Sequence, residues 1–245
     1  MGLYAKQSWY KRINYNDFIV EKRLHPLPGK DAHIRLAPVQ RLADMFSDPV
    51  PPEGARESAV LVLLIPTGPS TAPEEIMEWS VLLIKRNSYA GVHSAQIAFP
   101  GGKREPEDKS FMETAYREAF EEMGIERDKT VPISALSGLY VPPSNFYICP
   151  VLAIAREELR FTVDPREVTG YREIKIKEFN PDKTELRKFQ SPTGEWLDAP
   201  GYSIEDYFIW GATAMILSEL YQVVADATLS KSLSSTYISS SNPSI

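Results

Sequence analysis

Two continuous apolar runs, residues 59–65 and 80–84, are the first regular pattern along the chain. A run without polar alternation predicts strands buried on both faces, here joined by a loop containing Pro and Ser. The period then changes. Phe111, Ala115, Ala119 and Met123 recur every four residues, with Met112, Tyr116 and Phe120 beside them. That spacing predicts a helix whose apolar stripe packs on a sheet. Ser110-Phe111-Met112-Glu113 reads as its capping box and Gly124 as its stop. Strands are expected over 136–141 and 147–155, with shorter ones over 160–163 and 173–176. From 204 to 227, apolar positions through Phe208, Met215, Leu220 and Val224 predict a long core-packing helix. The serine-rich segment 229–245 is expected to be a disordered tail.

Upstream, residues 10–41 mix charged and apolar positions, with a helix expected near 15–24 and a Pro-Gly break at 26–29. Val50-Pro51-Pro52 reads as a linker. Strands alternating with two long helices predict one α/β sandwich domain over 51–228, preceded by a helical and loop extension over 1–50.

The polar side of the 111–123 helix changes the picture from architecture to chemistry. Glu118 and Glu122 are spaced i,i+4 and Glu118 and Glu121 i,i+3, so the three carboxylates converge. Such repulsion costs about a few tenths of a kcal/mol per pair, and a bound divalent cation reverses its sign. Oxygen-only ligands suit Mg²⁺ or Mn²⁺, and so few of them leave positions for water and phosphate oxygens. Arg117, four residues after Glu113 and four before Glu121, reads as a brace for the carboxylates. An ordinary solvated helix face is the plain alternative. The Gly101-Gly102 turn upstream, the cap and the order Arg-Glu-x-x-Glu-Glu-x-Gly together favour a metal site.

These residues resemble the Nudix box, Gly-x5-Glu-x7-Arg-Glu-U-x-Glu-Glu-x-Gly-U with U a bulky apolar residue. Asp108 stands at the first acidic position instead of Glu, and eight residues instead of seven separate it from Arg117. The surroundings are similar to the coenzyme A pyrophosphatase branch of that family. They comprise Leu82-Leu83-Ile84-Lys85-Arg86-Asn87-Ser88, His93-Ser94-Ala95-Gln96, Phe99-Pro100-Gly101-Gly102 and Glu105-Pro106-Glu107-Asp108. Ala95 occupies a position where the branch has glycine. Tyr207-Phe208-Ile209-Trp210-Gly211-Ala212-Thr213-Ala214 looks like the branch's closing helix. The resemblance implies a Nudix-type α/β/α sandwich with a mixed sheet.

It also implies a substrate class: coenzyme A or its thioesters, cut to 3′,5′-ADP and (acyl-)4′-phosphopantetheine. The expected chemistry is hydrolysis of the pyrophosphate linkage by water activated on a Glu-bound divalent metal. Glu118 and Glu122 are the first ligands, and Glu121 is a third ligand or the general base. Glu167, in Asp164-Pro165-Arg166-Glu167-Val168, is the base candidate from a later loop. Arg86 and Lys103 are candidates for phosphate charge, Arg by a two-point fork and Lys as a point charge. His93, Gln96 and Gly102 complete the substrate-binding candidates with Tyr140, which with Pro142, Pro143 and Phe146 is a candidate wall for an adenine or the pantetheine arm. Two alternatives stand beside this reading: a Nudix pyrophosphatase acting on ADP-ribose, NADH or another nucleoside diphosphate derivative, and a non-catalytic nucleotide-binding module.

Composition bounds the partners. With 245 residues and 43% apolar content, one domain buries a full core. A net charge of −6 and a pI near 5.3 argue against a general nucleic-acid binder. The single Cys149, between Ile148 and Pro150, excludes an intramolecular disulfide and reads as a buried strand residue. No apolar run reaches signal-peptide or membrane-spanning length, which sets the expectation of a soluble cytoplasmic protein with a small nucleotide substrate and no membrane partner. A homodimer is compatible with this reading without being specified by it.

Overall fold

The computed structural model describes residues 26–42, 51–69, 72–87, 96–190, 194 and 196–239, together with Tyr10 and Ile13. The two apolar runs lie in strands β1 (Arg56–Ile65) and β2 (Ser80–Arg86). Leu61, Val62, Leu63 and Leu64 are all buried, so β1 is covered on both faces as its unbroken run requires. β1 lies inside an eight-stranded mixed sheet. It runs parallel to β7 (Phe146–Ala155) and antiparallel to β2 and the short β4 (Gly101–Lys103). β2 also pairs with β3 (Ile97–Ala98) and β8 (Val168–Lys175), and β7 with β5 (Thr130–Ala135) and β6 (Leu139–Val141).

Short helices α1 (Lys30–Ile34) and α2 (Pro73–Ile76) accompany two longer ones, α3 (Phe111–Met123) and α4 (Gly211–Ser239). α3 packs on β1, β4 and β7. α4 packs against α1, α2 and a second, antiparallel sheet formed by β9 (Glu185–Gln190), β10 (Trp196–Ile204) and β11 (Tyr207–Trp210). Helices and a mixed sheet thus form the expected α/β sandwich. Among the described residues no helix is long and apolar enough to cross a membrane.

Several elements differ from the sequence expectation. Of the strand expected over 136–141 only residues 139–141 form one, β6, while β5 ends before it at Ala135 and pairs with β7 through a register shift between Pro132 and Ser134. Residues 160–163 form no strand, because Thr162 N–H donates to Met123 O at 2.9 Å and Asp164 N–H to Glu122 O at 3.0 Å. Their backbone is drawn to the carbonyls left over at the end of α3. The strand expected over 173–176 begins earlier, at Val168, and Ile176 opens a 3-10 turn. Residues 204–210 belong to the β10–β11 hairpin, and α4 starts only at Gly211. Aromatic and β-branched Tyr207-Phe208-Ile209-Trp210 suits a strand better than a helix. At the other end the helix continues to Ser239, through part of the segment expected to be a disordered tail. The helix expected near 15–24 lies outside the described residues.

Part of the expected N-terminal extension is built into the core. Ala32, His33, Leu36 and Ala37 are buried. Arg35 pairs with Asp182 at 2.6 Å, and Gln40 exchanges two hydrogen bonds with Asp198, each 3.0 Å.

Candidate active site

The site is assembled by α3 and the strand it lies on. Ser110 Oγ accepts from Glu113 N–H at 3.2 Å, and the Glu113 carboxylate accepts from Lys109 N–H at 2.7 Å. Glu113 is thereby committed to the cap. Gly124 ends the helix at φ 68°, where its N–H returns to Phe120 O. β4 brings two glycines under the helix. A Cβ on Gly101 would strike Ala59 O and Val60 of β1, and one on Gly102 would land on the Glu118 carboxylate. The diglycine is what allows strand, neighbour and carboxylate to approach so closely.

Glu122 is fully buried. Its Oε2 accepts from Gly101 N–H at 2.9 Å, while Oε1 lies 3.0 Å from Arg86 Nη1 but has no aligned hydrogen-bond donor. Arg86 Nη2 instead donates to Gly101 O. Burial pushes the Glu122 carboxyl up to about 7, and the charges of Glu118 and Glu167 add to the rise against the pull of Arg86 and Gly101. Glu118 is also pushed up by burial, with Glu121 adding to the rise and Arg117 opposing it.

Arg117 is the hub of the cluster. Its Nε and Nη2 donate to the two Asp108 oxygens at 3.1 and 3.0 Å, and Nη2 also reaches Lys103 O at 3.0 Å. Its Nη1 donates to Glu118 at 3.0 Å and to the half-exposed Glu121 at 3.2 Å. The Arg117 fork, with help from Thr114 and Glu105 N–H, holds Asp108 down at about 2. The departure from the usual box is thus absorbed locally. A tight turn, with Asp108 N–H donating to Glu105 O, delivers the shorter Asp side chain to Arg117.

Glu167 is exposed on a turn tied to both neighbours, through Asp164 N–H to Glu122 O and through Asn87 N–H to Glu167 O at 2.7 Å. Gln96 sits beside Arg86, whose N–H donates to its carbonyl at 3.0 Å. Lys103 has an exposed side chain at the edge of β4. Tyr140 is not brought to the carboxylates. It lies on β6, beyond β7 and β1 from β4, and its hydroxyl donates to Asn145 at 2.9 Å. His93 lies outside the described residues. Sequence reasoning passed over Asn87 and Asp164; the run Asp164-Pro165 ahead of a candidate base is a turn signal that marks the second of them.

The site is thus a carboxylate-bearing helix lying over a diglycine strand, with Arg117 bonded to both. The NUDIX domain family matches residues 56–197, and the chain belongs to the Nudix hydrolase family. It is 33% identical over 156 residues to NudL, an uncharacterized Nudix hydrolase of Yersinia enterocolitica serotype O:8 / biotype 1B, covering 60% of this chain and 75% of the relative. It is 31% identical to NudL of Yersinia pestis (strain Pestoides F), over 69% of this chain and 80% of the relative. Among solved structures it aligns with RenU, a Nudix hydrolase from M. smegmatis, at 18% identity and a TM-score of 0.48, over 70% of this chain and 87% of that one.

Nudix hydrolases generally use divalent metal ions. Among the described residues no three acidic, His or Cys side chains already converge as a cage, since Arg117 holds Glu118 and Glu121. The donor set nevertheless fits a hard cation. It is all carboxylate oxygen, and one buried oxygen of Glu122 lacks a hydrogen bond that an ion would replace.

Proposed function

We propose that this chain is a metal-dependent pyrophosphatase that hydrolyses coenzyme A or its thioesters to 3′,5′-ADP and (acyl-)4′-phosphopantetheine. The observation that carries the hydrolytic reading is Glu122: a buried, under-bonded carboxylate held against Gly101 beside Arg86. Glu118, Glu121 and Glu122 are the residues that would hold Mg²⁺ or Mn²⁺. Bound there, the ion supplies charge neutralisation at the phosphate oxygens and a more acidic water. Arg86, 3.0 Å from the Glu122 carboxylate, is the cation that would meet a phosphate oxygen. Gly102, without a side chain, leaves room for the Glu118 carboxylate to lie against the β4 backbone. Glu167 takes the proton from the attacking water, from a turn that packs against the end of α3.

The coenzyme A assignment rests on the residues flanking the box. Two of those residues, Arg86 and Gln96, lie side by side in the fold, where Arg86 N–H donates to Gln96 O at 3.0 Å. Product analysis by mass spectrometry tests it, with coenzyme A, ADP-ribose and NADH supplied separately, with and without Mg²⁺ or Mn²⁺. Metal-dependent release of 3′,5′-ADP and phosphopantetheine, with the other compounds cut poorly, is the expected result. AMP from ADP-ribose or NADH with coenzyme A untouched would overturn the substrate and keep the chemistry.

A further inference from the structure

Asn87 follows Arg86 directly, at the end of β2. Its backbone N–H donates to Glu167 O at 2.7 Å, and its side-chain Nδ2 donates to Pro165 O at 3.3 Å and Arg166 O at 3.2 Å. Three successive carbonyls of one turn are therefore held by a single residue. The turn is closed from within as well. Glu167 N–H and Val168 N–H both return to Asp164 O, at 3.1 and 2.9 Å. The Asp164 carboxylate accepts from Arg166 N–H at 2.9 Å and grips the Arg166 guanidinium. On its far side the turn hangs from α3, where Asp164 N–H donates to Glu122 O at 3.0 Å. The turn is thus slung between the end of the strand that carries Arg86 and the end of the helix that carries Glu122.

We infer that Asn87 is a positioning residue: by holding the carbonyls of Pro165, Arg166 and Glu167 it fixes where the Glu167 carboxylate stands relative to Glu122 and Arg86. The inference rests on the reading that Glu167 accepts the proton of the attacking water. The residue type follows from the task. Two carbonyls converging on one side chain call for two N–H donors on one head, which a primary amide supplies. Aspartate has the same shape but sets a charge against both carbonyl oxygens, and alanine reaches neither. The turn has no strand pairing over 164–167, so its place depends on these bonds.

The test is steady-state kinetics on the full chain, with whichever substrate the wild-type protein cleaves, for Asn87→Ala, Asn87→Asp, Glu167→Gln and the double variant Asn87→Ala/Glu167→Gln. Displacing a reacting group by a fraction of an ångström is expected to lower kcat on the order of 10-fold in Asn87→Ala, with KM within about twofold of wild type. Asn87→Asp does no better, since it brings no donor. Once Glu167 is neutralised, removing Asn87 costs nothing further. Thermal melts show whether each variant is folded. Normal kcat in Asn87→Ala beside a slow Glu167→Gln overturns the positioning role alone. An equal loss from Asn87→Ala in both backgrounds also overturns it, by showing that Asn87 acts without Glu167. Normal turnover in Glu167→Gln overturns the proton-acceptor reading and the inference with it.

Discussion

Helices α3 and α4 each bury a glutamate completely, and the fold treats the two in opposite ways. Glu219 on α4 accepts from Ser137 N–H at 3.1 and 3.2 Å and bonds His33 Nε2 at 2.9 Å. Burial pushes its carboxyl up, but His33 and Ser137 outweigh that and hold it below the ordinary range. Glu122 on α3 has one N–H donor and a misaligned arginine, and burial wins. Depth and residue type are the same. The difference lies in how many donors each carboxylate meets. Glu219 is spent on architecture, tying α4 to α1 and to the loop before β6. Glu122 keeps an oxygen to offer.

Glu122→Gln breaks the comparison most sharply, because it keeps the shape and removes the charge. Turnover is expected to fall at least ~10²-fold if the carboxylate holds the ion, while the melting temperature does not fall, since the buried charge opposed folding. Near-normal turnover would remove Glu122 from the site. Glu219→Ala is expected to do the reverse. Leaving His33 and Ser137 N–H without their acceptor should cost about 2 kcal/mol in urea unfolding, with kcat per folded molecule unchanged. Loss of turnover without loss of stability there would make Glu219 functional and dissolve the contrast.

The same pair explains what the sequence could reveal. Glu118, Glu121 and Glu122 were legible because helical periodicity and the diglycine turn are local, all within residues 101–124. Glu219 was silent, since its partners His33 and Ser137 lie 186 and 82 residues away and one glutamate in an apolar helix has no local signature. The strands follow the same rule. β1, β2 and β7 are buried on both faces and read as unbroken apolar runs. β9, Glu-Leu-Arg-Lys-Phe-Gln, is largely exposed and offers no such run. β11 was absorbed into the apolar pattern of the helix that follows it. The Asn87 staple and the Glu167 turn depend on chain segments distant in sequence, brought together by the β2–β8 pairing and by the bond to the end of α3.

Acidity sharpens the comparison in a different way. Glu122 is raised from 4.5 to about 7, so the folded state binds its proton more tightly than the unfolded one. Its contribution to stability is full below the unfolded value and is lost as pH rises toward 7. Glu219 is lowered, so its contribution is present above 4.5 and is lost as pH falls through the folded value. Urea unfolding at pH 5 and pH 8 in excess chelator, on wild type and Glu122→Gln, isolates the first term. The Gln variant is expected to gain on wild type between the two pH values, and an equal difference at both would contradict the burial argument.

Gly102→Ala gives the smallest and most local effect. A Cβ there would land on the Glu118 carboxylate, which is the free end of a flexible side chain and can swing aside. Stability should therefore change by less than about 1 kcal/mol. The carboxylate can swing only by leaving Arg117 Nη1, 3.0 Å away, or the face it shares with Glu122. A catalytic group displaced by an ångström costs up to ~10²-fold in rate, and a side chain able to readjust recovers part of it, so turnover is expected to fall ~10-fold. Raising the Mg²⁺ or Mn²⁺ concentration should restore some of that loss if Glu118 is a ligand, because a weakened site fills by mass action. A loss that metal cannot restore would place the role of Gly102 in substrate approach instead. Glu122, on the next turn of the helix, would then carry the ion with Glu121.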